Sequence, residues 1–185
     1  KEFDGFHTLI ASAMKLHAGT GTTGAPLTTA LLDEAIDLVS VVSKPTFILM
    51  NKGIRRRLSA YLRGVGSYET ERDDYGKLWQ IWGDGIKIVP SDWLLQTEAI
   101  AAADYRTKTA GATTSVFVGF FSEGDGLVGL QNGGIRREHW KRLETKDAMR
   151  TRLKWYVGLA QMCTQCLCRI DGITDAAITL YRVRE

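Results

Sequence analysis

All three cysteines of the chain lie between Cys163 and Cys168, in the spacing C-x-x-C-x-C. Thiolates at such intervals are zinc ligands in many small sites, but a structural zinc needs four ligands. No fourth cysteine exists, so His7, His17 or His139 would have to supply the last bond. If strand structure runs through this stretch, Cys166 and Cys168 share a face and Cys163 points away, and the three do not converge. Buried free thiols acting as small apolar residues are the favoured reading, with no metal expected. An odd, clustered set is not a disulfide framework and fits a reducing compartment.

Gly19-Thr20-Gly21-Thr22-Thr23-Gly24 has the G-x-G-x-x-G spacing of a phosphate cradle. A dinucleotide site needs a strand before that loop and a helix opening at it. Here Pro26 and two threonines intervene, so a linker is favoured and no cofactor is expected. The three histidines and the carboxylates form no recognisable catalytic array: there is no G-x-S-x-G, no H-E-x-x-H and no acidic metal loop. The chain is therefore expected not to be an enzyme, and no catalytic residue is assigned.

Two basic clusters stand out. Arg55, Arg56 and Arg57 lie with Lys52 and Arg63; Arg136 and Arg137 lie with Lys141 and Arg142. Either could touch phosphates, but solvated faces or ion pairs with Glu69, Glu71, Asp73 and Asp74 are favoured. Trp79, Trp82, Trp93 and Tyr105 suit a partner patch or core packing equally well. A net charge of +3 over 185 residues demands no nucleic-acid partner. With 44% hydrophobic and 24% charged residues the composition is that of a globular domain. No apolar run approaches the ~18 residues that span a bilayer, so no membrane partner is expected.

The elements that would position these residues follow from periodicity. Phe3–Leu16 is ambiguous between helix and strand, and Gly19–Pro26 reads as loop. Thr28 or Thr29 caps a helix whose stripe is Leu31, Ala35, Leu38, Val39 and Val42, ended by Lys44-Pro45. Thr46–Met50 reads as a buried strand. Asn51 caps a helix over Lys52–Arg63 that Gly64 stops. Gly66–Lys77 reads as a mobile polar loop. Leu78–Trp82 and Ile86–Val89 form a hairpin about Gly83-Asp84-Gly85. Pro90–Ala112 is irregular, with a short helix at Glu98–Ala103. Thr113–Phe121 is apolar on both faces and reads as a central strand. Asn132-Gly133 is a hairpin signal. Ile135–Leu143 is a strand with at least one solvated or partner face. Ala148–Leu159 alternates strictly, with Met149, Thr151, Leu153, Trp155, Val157 and Leu159 against Arg150, Arg152, Lys154 and Tyr156. It predicts a single half-buried strand longer than the usual ~3–10 residues. The order is that of an α+β protein.

In order along the chain, these pieces resemble the major capsid protein of tailed bacteriophages, the Hong Kong 97-like fold. Phe3-Asp4-Gly5-Phe6 is similar to that family's Phe-Asp-Gly-Leu turn. Thr28–Val42, Pro45–Asn51 and Arg55–Leu62 resemble the helix, strand and helix of its axial domain. Trp82–Val89 resembles its Tyr/Trp-Gly-x-Pro-Val-Val segment, without the proline. Thr113–Phe121, Gly126–Leu130 and Lys146–Ala160 resemble its closing strands, including an acid-x-x-Arg-Thr-Arg-x-x-Trp-Tyr-x-Gly-Leu pattern. The chain begins at the Phe-Asp-Gly turn and so looks like a fragment lacking the N-terminal arm and extended loop.

The resemblance implies an axial domain over 28–160 and peripheral segments at 1–27 and 161–185. It implies a virion structural protein of a phage or prophage, made in the bacterial cytoplasm. Copies would form pentamers and hexamers of an icosahedral head around double-stranded DNA, held weakly and non-specifically. A scaffold or maturation protease would be a further partner. Arg55, Arg56, Arg57, Trp82, Trp93, Arg136, Arg137, Arg150 and Arg152 are the expected subunit-contact residues, and 64–77 and 90–112 the expected contact loops. Without arm and loop the chain is not expected to close shells. Two alternatives remain: an encapsulin-like shell protein of a bacterial cargo compartment, and a small soluble enzyme or nucleic-acid-binding protein.

Overall fold

The computed structural model describes residues 5–19, 23–39, 44–83, 85–98, 112–140 and 149–179. Eight strands form one mixed sheet in the order β1-β12-β7-β3-β6-β5-β4, with β2 also on β12. The strands are β1 (Lys15–His17), β2 (Ala25–Thr28), β3 (Phe47–Asn51), β4 (Thr70–Arg72), β5 (Leu78–Trp82), β6 (Ile86–Ser91), β7 (Thr113–Gly119) and β12 (Leu167–Thr179). Four more strands, β8 (Leu127–Gln131), β9 (Arg136–Trp140), β10 (Arg150–Lys154) and β11 (Val157–Gln161), lie outside it.

The expected central strand is central. Every residue of β7 is buried, and it pairs antiparallel with both β12 and β3. Its side chains alternate between two covered faces. α2 (Thr29–Leu38) and α3 (Lys52–Val65) cover one with Leu31, Leu32, Ala35, Ile54, Leu58 and Leu62. Each such leucine is worth roughly 2 kcal/mol of burial. The short helix α1 (Phe6–Leu9) covers the other, with Phe6 and His7 against Phe117 at 5.8 and 4.9 Å between ring centroids.

Both helix caps are those expected. The Leu31 N–H donates to Thr28 Oγ1 at 3.2 Å, and the Gly53 N–H to Asn51 Oδ1 at 2.7 Å. α3 runs past Gly64, however, and ends where Gly66 turns left-handed at φ 81. Gly64 keeps helical geometry because nothing in the fold forces it out. α2 ends at Leu38, earlier than expected, with Val39 buried as its C-cap; Val42 lies outside the described residues. The 78–82 and 86–89 hairpin forms, with Trp82 opposite Ile86. The polar stretch 66–77 is not all loop, because β4 adds to the edge of β5. Glu98 bridges Thr113 rather than starting a helix; the rest of that expected helix, 99–103, lies outside the described residues. So do Phe3, Asp4 and Tyr105.

The longest strand is β12, not Ala148–Leu159. At Gly172 its register shifts and φ is 70. A Cβ there would stand 2.6 Å from the His17 ring, so the bulge and the close approach both require glycine.

Candidate assembly surface

β8 and β11 pair antiparallel, as do β9 and β10, with Gln131 opposite Val157 and Arg136 opposite Lys154. The four strands therefore make one two-stranded path: out along β8 and β9, back along β10 and β11. Residues 132–135 on the outgoing side oppose only Trp155 and Tyr156 on the return, so the ladder breaks there. The expected single strand over Ala148–Leu159 is split at that break. Asn132-Gly133 is part of the break rather than a hairpin turn, and β8 pairs with β11 instead of β9. The Asn132 N–H still donates to the Tyr156 carbonyl at 3.1 Å, which holds the joint together.

Of the half-buried face expected of this strand, Val157 and Leu159 are half-buried and the rest is exposed. Met149 is 88% exposed, Leu153 69% and Trp155 57%, and Leu130, Ile135 and Tyr156 are also exposed. A two-stranded ribbon standing off a sheet has no core of its own to cover them. At the joint Leu130, Gln131, Asn132, Trp155, Tyr156 and Val157 bound an open recess of about 440 Å³.

The register sorts the expected contact residues. Arg150 opposes Trp140, Arg152 opposes Glu138 and Lys154 opposes Arg136. Arg136, Arg150 and Arg152 thus share one face with Lys154, and Arg137, opposite Leu153, falls on the other. Glu138 tempers the basic face, accepting from Lys154 Nζ at 2.7 Å. The remaining expected residues are not gathered here. Arg55, Arg56 and Arg57 are on α3, and the acidic partners expected for them are not the ones found. Arg57 Nε instead donates to Asp175 Oδ1 on β12 at 3.0 Å, since α3 packs across β12. Trp82 is half-buried and donates from Nε1 to Asp33 Oδ1 at 3.1 Å. It walls a groove of about 410 Å³ with Tyr61, Leu62, Val65 and Glu69. Trp93, just after β6, is 91% exposed. The exposed apolar row is not among the contact residues expected from sequence. Its signal is period-two alternation, which marks a face to be covered without naming the molecule that covers it.

A buried polar cluster lies on the α1 side of the sheet. Arg169 donates to Ser115 Oγ at 2.9 Å and to Glu98 Oε2 at 3.4 Å, and Ser115 donates to Glu98. His7 Nε2 is 3.7 Å from Glu98 Oε1. Burial pushes the Glu98 carboxyl up, against Ser115 and Arg169, and holds the His7 imidazole down at about 4. The carboxylate stands between serine and histidine, whereas a catalytic triad needs the histidine between serine and acid. The cluster ties α1, β7 and β12 together and lacks the order of a catalytic triad.

Sheet, helices and ribbon together are the α+β Hong Kong 97-like fold. Among solved structures the chain is similar to the holo-SrpI encapsulin complex from Synechococcus elongatus PCC 7942, with a TM-score of 0.67 and 18% identity. The match covers 96% of this chain and 59% of that one, so the chain spans less than two thirds of its neighbour's length. No protein-family description and no curated protein matches the sequence.

Proposed function

We propose that the chain is a structural, shell-forming subunit that associates with copies of itself. The observation that carries this reading is the ribbon: a regular apolar row, Met149, Leu153 and Trp155, turned outward on an element that cannot be stable alone. Covering each such side chain is worth about 1.5–3 kcal/mol, which favours a partner. Similarity in fold to an encapsulin complex supports another copy as that partner. The ribbon's basic face, with Arg136, Arg150 and Arg152, complements the exposed Asp33, Glu34 and Asp37 of α2. Two different surfaces meeting head to tail generate rings. An axial part at 28–160 and peripheral segments at 1–27 and 161–185 are proposed as the regions that meet different neighbours; within the chain β12 of the last segment shares one sheet with β3–β7. Arg55, Arg56, Arg57, Trp93 and the stretches 64–77 and 90–112 are proposed as further contacts.

Within the class, a cargo compartment is favoured by the encapsulin likeness. The order of capsid motifs along the sequence favours the second reading, a phage head of pentamers and hexamers around double-stranded DNA, with a scaffold or maturation protease. The contents decide. Particles formed in the native host by the protein as its full gene encodes it, imaged by negative stain and then opened, should release one abundant protein cargo if the compartment reading holds. Genome-length DNA would establish the phage head instead, and absence of particles would defeat both.

A further inference from the structure

Gln161 ends β11 and Leu167 begins β12, so the five residues between them are the joint by which the ribbon rejoins the sheet. Within that joint the Cys166 N–H donates to the Cys163 carbonyl at 3.4 Å, closing a turn over Thr164 and Gln165. The Gln161 side-chain amide clamps the turn, donating to the Cys163 carbonyl at 2.8 Å and the Thr164 carbonyl at 3.1 Å. A four-residue turn brings its end Cα atoms within about 7 Å of each other. Disulfides form at Cα separations of about 4.4–6.8 Å. Cys163 and Cys166 occupy those two ends. Both are free thiols; Cys163 is partly exposed and Cys166 is buried.

We propose that Cys163 and Cys166 are a reversible dithiol–disulfide pair, oxidised by a low-molecular-weight disulfide such as glutathione disulfide. Accessibility sets the order of events. The Cys163 thiolate attacks one sulfur of the small disulfide, forms a mixed disulfide and releases one small thiolate. The Cys166 thiolate then attacks Cys163 Sγ, and the second small thiolate leaves. Two electrons pass from the protein to the small disulfide, and the two protons of the protein thiols end on the two released thiolates. Burial raises the Cys166 thiol, while hydrogen bonding from the Cys163 and Cys166 backbone and from Gln161 pulls the other way. Cys168 is the contrast: it sits within β12, buried, with its thiol pushed up to about 12 by burial.

The consequence is mechanical. The turn is anchored to the sheet by the Phe120 N–H on the Cys166 carbonyl at 3.3 Å, and to the ribbon by the Met162 N–H on the Gly126 carbonyl at 3.1 Å. A bond across the turn fixes the angle at which the ribbon leaves the sheet. This inference does not depend on the shell reading.

The test is mass spectrometry of the intact, folded protein incubated with glutathione disulfide and then alkylated. The expected product has lost two hydrogen atoms, fragmentation places the bond between Cys163 and Cys166, and dithiothreitol reverses it. The Cys166→Ser variant should instead stop at one glutathione on Cys163, and Cys168→Ser should behave as wild type. Wild-type protein that accumulates the glutathione adduct, links Cys168, or leaves Cys163 and Cys166 both open to alkylation overturns the proposal. The wild-type fragmentation result decides it even where a serine variant does not fold.

Discussion

Burial against Phe117, with Arg169 and Lys15 nearby, holds the His7 imidazole at about 4, against 6.5 in an unfolded chain. Between those values the unfolded chain takes up a proton that the folded chain refuses. Stability therefore falls as pH drops from about 6.5 to about 4, by about 3 kcal/mol in full. Glu98, pushed up by burial, acts in the opposite direction over part of that window, so the difference between variants is the readout. Urea denaturation of His7→Phe across this range should show a flatter acid limb than wild type; parallel curves would remove His7 from the account. The Arg57–Asp175 pair is a smaller matter. The hydrogen bond from Arg57 holds the Asp175 carboxyl below the usual range, so its contribution exists above the unfolded value and is lost as pH falls through the folded one. The side chains are 51% and 32% exposed, and a double-mutant cycle should return only about 0.2–1 kcal/mol.

Elements carry the next tier. Asn51 caps α3 through the Gly53 N–H and also donates from its side chain to the Leu94 carbonyl. Asn51→Ala should cost about 1–2 kcal/mol, with the thermal midpoint as measure. Gly172→Ala forces a side chain onto a φ of 70 and into the His17 ring. It should cost about 2 kcal/mol or more, and a neutral result would mean the β12 bulge can relax. Both helices were legible in the sequence, because caps and apolar stripes are local signals: Thr28 and Asn51 mark their starts, and Leu31, Ala35, Ile54 and Leu58 their buried faces. β7 was legible because both its faces are apolar. The split of Ala148–Leu159 was not. Its cause is four residues, 132–135, opposing two on the far strand, and no local pattern reports the length of a distant partner. The alternation was real, but period two says only that one face is meant to be covered, not by which molecule. β12 was hidden for a related reason: Asp171 and Gly172 interrupt its alternation at the bulge.

At the scale of the whole molecule, the Hong Kong 97-like fold is legible in the order of weak motifs rather than in any one of them. Of the contact residues proposed from sequence, only Arg136, Arg150 and Arg152 are brought onto one face, because they alternate along paired strands. The charge pattern offers a check on geometry between copies. Reversing Arg150 and Arg152 to glutamate should abolish association, and reversing Asp33 and Asp37 to lysine in the same chain should restore it. Failure of the second change to rescue would move the acidic partner surface away from α2.

Sedimentation velocity of the protein as its full gene encodes it, beside its Leu153→Asp/Trp155→Asp variant, asks most directly whether the ribbon exists to be covered by a sister subunit. Large particles of uniform size from the wild type, and a small, folded species from the variant with unchanged circular dichroism, are the outcome expected. A wild type that stays monomeric, or a variant that assembles as well as its parent, would contradict it.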